Sequence, residues 1–245
     1  YNQYFSSDAN GVLFNKEKTQ LRKAPVMLTG RYEIPDTVQS IENNAFGNCK
    51  YLTEVIIPDG VTRIAYNAFG NCDSLVSVTI PQSVQVIENQ AFAYCDQLTY
   101  VTVLSENCNF NGDVFYESKN IRFNTYDNAK YFGKAENPYW MLMKATSQDI
   151  TSCIIHPDTK VIGGRAFANC DNLTQLEIPE GVTSIGEGAF AYTGLKEITI
   201  PSQTTKISNY CFAGCKKLKQ VTLPETTEAI QWGAFWRCKK LKNIT

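Results

Sequence analysis

The chain has 245 residues, and 43% of them are hydrophobic, enough to build a continuous interior and too many for a disordered tail. Its 23 Lys and Arg against 24 Asp and Glu give a formal net charge of −1, so the positive long-range field that draws a protein to nucleic acid is missing. No apolar run reaches the roughly 18 residues of a membrane helix, and no basic-then-apolar leader opens the sequence, which argues against membrane insertion and places any secretion signal outside these residues.

Residues 1–34 read as an N-terminal hairpin and a partial coil, with strands at 12–14 and 21–23 around the turn N-K-E-K-T-Q. Residues 35–126 form a first repeat block. Ala45-Phe46, Ala68-Phe69 and Ala91-Phe92 recur every 23 residues, preceded by Ile41, Ile64 and Ile87 and followed by Cys49, Cys72 and Cys95. After the cysteine runs L-x-x-[VIL]-x-[ILV]-P, as in Leu75, Val78, Ile80 and Pro81. This stretch predicts a short strand with Val78 and Ile80 pointing inward and Ser77 and Thr79 outward. Pro81 ends it, because proline has no N–H to give to a ladder.

Between residues 103 and 150 the template degrades: Val114-Phe115 takes the Ala-Phe place and Ile121 the following Leu place. Residues 127–149 are read as a hairpin insertion that bulges out of the array, with strands at 129–132 and 139–144 and a turn at 133–138. A second repeat block, 150–245, carries Ala166-Phe167, Ala189-Phe190, Cys211-Phe212 and Ala234-Phe235, with Ile162, Ile185, Ile207 and Ile230 before them. A segment of 22 or 23 residues cannot bury its apolar positions alone. Units of this kind must stack and share one interior, with strands of successive coils about 4.8 Å apart and the phenylalanines aligned as a spine.

The stretches V-T-S-I-G-E-G-A-F-A (182–191) and C-K-K-L-K-Q-V-T-L-P (215–224) resemble the BspA-like leucine-rich repeat family, and the similarity covers most of the chain. Segments 6–21 and 127–145 resemble hairpin units of such bacterial arrays. The expected fold is a repeat solenoid: a curved, right-handed, β-rich superhelix of about eight coils with short parallel strands and two β-hairpin insertions. One solenoid over residues 1–245 is expected rather than two independent domains. The resemblance implies an extracellular or cell-surface bacterial protein, used for adhesion to a host or matrix protein or glycan. Both ends look cut within a repeat, and a monomer is expected.

Nine cysteines form an odd set without a C-x-x-C pair, so neither a disulfide framework nor a zinc site is indicated. Cys49, Cys72, Cys95, Cys170, Cys215 and Cys238 share one repeat position and predict a ladder of buried thiols. His156 is the single histidine. It stands where Pro58 and Pro179 stand in other coils, as a turn residue, and Cys153 three residues earlier points to the opposite face. The nucleotide, zinc-protease and serine-hydrolase motifs are absent. Glu54, Glu177 and Glu197 fall at outward positions on different coils, where solvated charge is expected. No enzyme, cofactor or metal is indicated.

Three features stand out as candidate ligand contacts. Trp232 and Trp236 occupy places held by small or polar residues elsewhere, either for recognition or to close the stack. Lys216 and Lys219 lie one coil from Lys239 and Lys242, either as a solvated edge or as a site for an acidic glycan or partner. Tyr139 and Trp140 belong to the densest aromatic cluster, whose alternation buries about half of it. The leading expectation is a non-enzymatic binding module. A structural spacer and a carbohydrate-active enzyme are the alternatives.

Overall fold

The computed structural model describes residues 2–105, 108–134 and 136–245. Tyr1, where the sequence suggests a cut unit, Glu106 and Asn107 in the degraded coil, and Ala135 in the expected hairpin turn lie outside the described residues. Among the described residues every regular element is a strand. The chain forms two compact units, Tyr1–Arg122 and Phe123–Thr245, and each is a β-solenoid of the expected repeat type.

The first unit opens with three antiparallel strands, Phe5–Ser7, Leu13–Asn15 and Gln20–Lys23. The last of them runs parallel to Ser40–Ile41, which continues through Arg63–Ile64 and Val86–Ile87 to Asn109–Phe110 in one seven-stranded sheet. A broader parallel sheet on another side of the coils contains Gly30–Glu33, Leu52–Ile56, Ser77–Ile80 and Tyr100–Val103. Ser77 and Thr79 are exposed while Val78 and Ile80 are buried, the period-2 alternation expected for a half-buried strand. Pro35, Pro58 and Pro81 follow these strands, and their carbonyls accept turn hydrogen bonds from the N–H groups of Val38, Val61 and Val84. Each proline therefore both stops a ladder and anchors the next corner.

The Ala-Phe pair sits in a second corner, flanked in each coil by two residues with left-handed backbone. In the first coils these are Asn44 and Asn48, then Asn67 and Asn71, a residue type whose short polar side chain tolerates positive φ. The corner keeps its own ladder: the N–H of Phe46 donates to Ala68 O at 2.7 Å and that of Phe69 to Ala91 O at 2.7 Å. The rings stack at 4.9 Å from Phe46 to Phe69, 4.9 Å from Phe69 to Phe92 and 5.7 Å from Phe92 to Phe115.

The shared cysteine position is a polar ladder within this core. Cys72 Sγ donates to Phe46 O at 3.3 Å and Cys95 Sγ to Phe69 O at 3.1 Å, each reaching back to the preceding coil. Ser118 holds the same place and donates to Phe92 O at 2.7 Å. The position thus selects a small side chain with a donor. All nine cysteines are free thiols, and Cys238 alone is not fully buried.

The second unit repeats the plan. Asn124–Tyr126, Ala129–Lys134 and Asn137–Ala145 form three antiparallel strands, and the third pairs parallel with Val161–Ile162, which pairs with Ser184–Ile185. The predicted hairpin is therefore not a bulge outside the array. Its longer strand is the first rung of the unit, with Met141 opposite Val161 and Leu142 opposite Ile162. Phe167, Phe190, Phe212 and Phe235 stack at 5.8, 5.3 and 5.6 Å. Glu197–Thr199, Gln220–Thr222 and Asn243–Ile244 form a three-stranded parallel sheet.

Candidate functional site

His156 keeps the turn role expected of it. Its carbonyl accepts from Thr159 N–H at 3.0 Å, as Pro179 O accepts from Val182 N–H at 3.0 Å. Its ring is enclosed by aromatics, stacked on Tyr139 at 4.1 Å and edge-on to Tyr126 at 4.7 Å. Nδ1 accepts from Asp158 N–H at 3.2 Å, and the His156 N–H donates to the Tyr131 hydroxyl at 3.2 Å. Burial, with the Asp127 charge adding to it, pushes the Cys153 thiol up to about 12. Cys153 is thus a neutral core side chain near pH 7 and not an activated nucleophile.

Trp140 corrects the sequence reading. It is only 6% exposed, and Lys134 Nζ sits 4.5 Å from its ring centroid, so it is not available as a ligand contact. Trp140, Met141 and Leu142 are buried in succession within Asn137–Ala145. Register shifts at Lys130/Tyr131 and Phe132/Lys134 in the partner strand break the alternation that would have turned one of each pair to solvent. Tyr139 is half-buried and packs edge-on against Tyr126 and Tyr131 at 5.6 and 5.5 Å, besides stacking on His156.

The two remaining tryptophans are presented to solvent. Trp232 is 73% exposed and Trp236 47%. Trp232 stands edge-on to Tyr210 at 4.9 Å, and the Arg237 guanidinium lies 4.2 Å over the Trp236 ring in a cation–π contact. These aromatics flank the Phe corner, Tyr210 and Trp232 before it and Tyr192 and Trp236 after it. The Tyr210 ring rests on Gly233 and the Tyr192 ring on Gly214, where an added Cβ would approach within 2.8 and 2.4 Å. Gly214 N–H in turn donates to Trp236 O at 2.7 Å. Tyr210 and Trp232 thus line one side of the corner in the last coils, and Tyr192 and Trp236 the other.

Lys216, Lys219, Lys239 and Lys242 are all exposed. Lys219 N–H donates to Lys196 O at 2.7 Å and Lys242 N–H to Lys219 O at 3.0 Å, so three lysines stand on three successive rungs. Lys196 was missed in the sequence although it lies 23 residues before Lys219. Among the described residues none of these five lysines has a carboxylate within 4.0 Å, so their charge is free for a partner. Of the outward glutamates, Glu54 reaches Arg31 at 4.0 Å. Glu177 and Glu197 line an open groove of about 690 Å³ on the second unit. The described residues contain no cluster of three or more groups suited to a metal ion and no helix long and apolar enough to cross a membrane.

Residues 29–135 and 145–245 match the family model of the BspA type leucine-rich repeat region, in six copies. No curated protein sequence matches the chain. Among solved structures, a leucine-rich cell surface protein from Faecalibacterium prausnitzii is 28% identical with a TM-score of 0.48, covering 89% of this chain and 53% of that one. This chain therefore spans about half the length of that relative. A leucine-rich repeat protein from Eubacterium ventriosum is 17% identical at a TM-score of 0.40, covering 100% and 83%. The pneumococcal vaccine antigen PcpA is 15% identical at 0.40, covering 99% and 87%.

Proposed function

Because the chain belongs to the BspA-type leucine-rich repeat family, we propose that it is a non-enzymatic binding module of a bacterial surface protein, holding a host or matrix protein or glycan on the outside of its coils. The observation that carries this reading is the pairing of two exposed tryptophans with unneutralised lysines in the last coils. Flat aromatic rings offer apolar area at low entropic cost, and a cluster of free cations selects a ligand of opposite sign. The residues with the strongest claim to chemistry, His156 and Cys153, are engaged in packing.

The test is a glycan array and a matrix-protein binding assay on the intact chain beside a Trp232→Ala/Trp236→Ala variant. Both positions are exposed, so the variant keeps its fold. Binding to an acidic glycan that falls at least tenfold in the variant and weakens with salt supports the reading. Equal binding by both proteins, or no binding to any ligand, contradicts it and favours a spacer role. Deleting residues 129–145 is not a usable control, because those residues form the first rung of the second unit.

A further inference from the structure

The broad faces of the two units differ in one respect. In the first, the coils are laddered throughout, with Arg31 opposite Glu54, Glu54 opposite Ser77 and Ser77 opposite Tyr100. In the second, residues 175–178 keep the exposed–buried alternation of Ser77–Ile80. Yet among the described residues their N–H and C=O groups make no backbone hydrogen bond. The next coil, Glu197–Thr199, is paired on one edge only, to Gln220–Thr222. The last bond before the gap is a long one, Lys196 N–H to Thr174 O at 3.4 Å.

The coil that carries Glu197–Thr199 is also one residue short. Cys170 and Leu173 are three apart, whereas Thr193 and Leu195, in the same places, are two apart. The shortened coil cuts its corner at Gly194, whose N–H donates to Cys170 O at 3.2 Å. It is pressed so close there that an added Cβ would lie 2.2 Å from Asp171 O. Beyond this pinch the two coils run on without meeting in hydrogen-bonding register.

Over this face lies an open groove of about 690 Å³ that extends to Gln220 and Thr222 of the paired coil; it touches Leu176, Ile178 and Ile198 and carries the carboxylates of Glu177, Glu180 and Glu197, with no Lys, Arg or His among its lining residues. Its volume falls within the range of ligand-holding clefts. Unpaired backbone donors and acceptors beside apolar side chains are a template for strand addition, in which the main chain supplies affinity and alternate side chains supply selectivity.

We propose that this groove accepts an extended peptide with Lys or Arg at alternate positions, added as a β-strand beside residues 175–178 and 197–199. The peptide's amides complete the interrupted ladder, its apolar side chains meet Leu176, Ile178 and Ile198, and its cations face Glu177 and Glu197. The inference is independent of the exposed tryptophans and of the lysine ladder, whose charge would repel such a peptide.

The test uses the full chain, isotopically labelled, titrated with acetyl-Lys-Val-Lys-Val-Lys-Val-amide and followed by NMR. The expected result is that amide shifts concentrate at Gln175, Leu176, Glu177, Ile178, Glu197, Ile198 and Thr199, and that these amides become at least tenfold more protected from exchange. A peptide of identical charge with alternate backbone nitrogens methylated should lose binding, and Glu177→Gln/Glu197→Gln should weaken it about tenfold at low salt. Equal binding of the methylated peptide, shifts elsewhere, no binding at all, or amides of residues 175–178 already protected in the free chain would each overturn the proposal.

Discussion

The ring of Phe69 lies parallel to that of Phe92, with 4.9 Å between centroids and 1° between planes. Both rings are fully buried, and the Phe69 N–H donates to Ala91 O in the same corner. One residue per coil thus carries both the core contact and the backbone bond that join it to the next. A coil cannot leave the stack without breaking both.

Removing one ring leaves a hole that its stacked neighbours are held too firmly to fill. Phe69→Ala in the first unit and Phe190→Ala in the second should each lower stability by about 3–5 kcal/mol, read from urea unfolding midpoints. A change below about 1 kcal/mol in either would contradict the spine.

The thiol ladder makes a narrower prediction. Cys95 Sγ donates to Phe69 O at 3.1 Å, and Ser118 does the same one coil later at 2.7 Å. Cys95→Ser should therefore stay within about 1.5 kcal/mol of the parent, whereas Cys95→Val, larger and without a donor, should lose about 1–3 kcal/mol. Thermal or urea denaturation of the pair decides it; equal losses would remove the donor from the account.

Burial pushes the thiols of Cys49 and Cys170 up to about 11 and those of Cys95, Cys108 and Cys153 to about 12, from an ordinary 9.0. Above pH 9 the unfolded chain releases these protons and the folded chain does not. Stability should be full below about pH 9 and fall as pH rises towards 12. Urea midpoints measured from pH 8 to 11 should decline, less steeply in Cys95→Ser; a flat profile would mean the thiols are not protected. In urea without reductant, all nine cysteines should titrate as free thiols.

Gly194 tests the pinch in the shortened coil. With Asp171 O at 2.2 Å from an added Cβ, Gly194→Ala cannot be absorbed by a flexible side chain and should cost about 3 kcal/mol. An unchanged urea midpoint would show that the coils there are farther apart than described.

Much of this fold was legible in the sequence, because Ala-Phe, Ile and Cys recur at a spacing that only stacking can satisfy. The faces of Val78 and Ile80 were legible in the sequence, although the strand expected from Leu75 begins only at Ser77. Periodicity reports which way a side chain points, but not whether its backbone meets a partner. The unpaired stretch at 175–178 reads like any other strand, and nothing in its own residues betrays it. Trp140 failed for the opposite reason: alternation assumed one covered face, and its strand is covered on both sides where the register shifts. Trp232 and Trp236 could be singled out because they break the template, but their exposure depends on how Tyr210 and Arg237 pack beside them.

The lysine stack offers a test that separates stability from binding. Lys219 stands between Lys196 and Lys242 on adjacent rungs, where like charges repel. Lys219→Glu should raise the urea midpoint at low salt and lose that gain at about 1 M salt, where the Debye length falls to about 3 Å. The same variant should bind an acidic glycan more weakly. A lower midpoint, or unchanged glycan binding, would count against a free cationic ladder.

Amide hydrogen exchange at the corner phenylalanines tests coil-to-coil stacking most directly. The N–H groups of Phe46, Phe69, Phe92, Phe167, Phe190 and Phe212 each donate to the next coil and should exchange only through opening of the stack, with protection near the full unfolding free energy of their unit. Fast exchange at these amides, in a chain that still unfolds cooperatively, would mean that something other than the shared Ala-Phe corner holds the coils together.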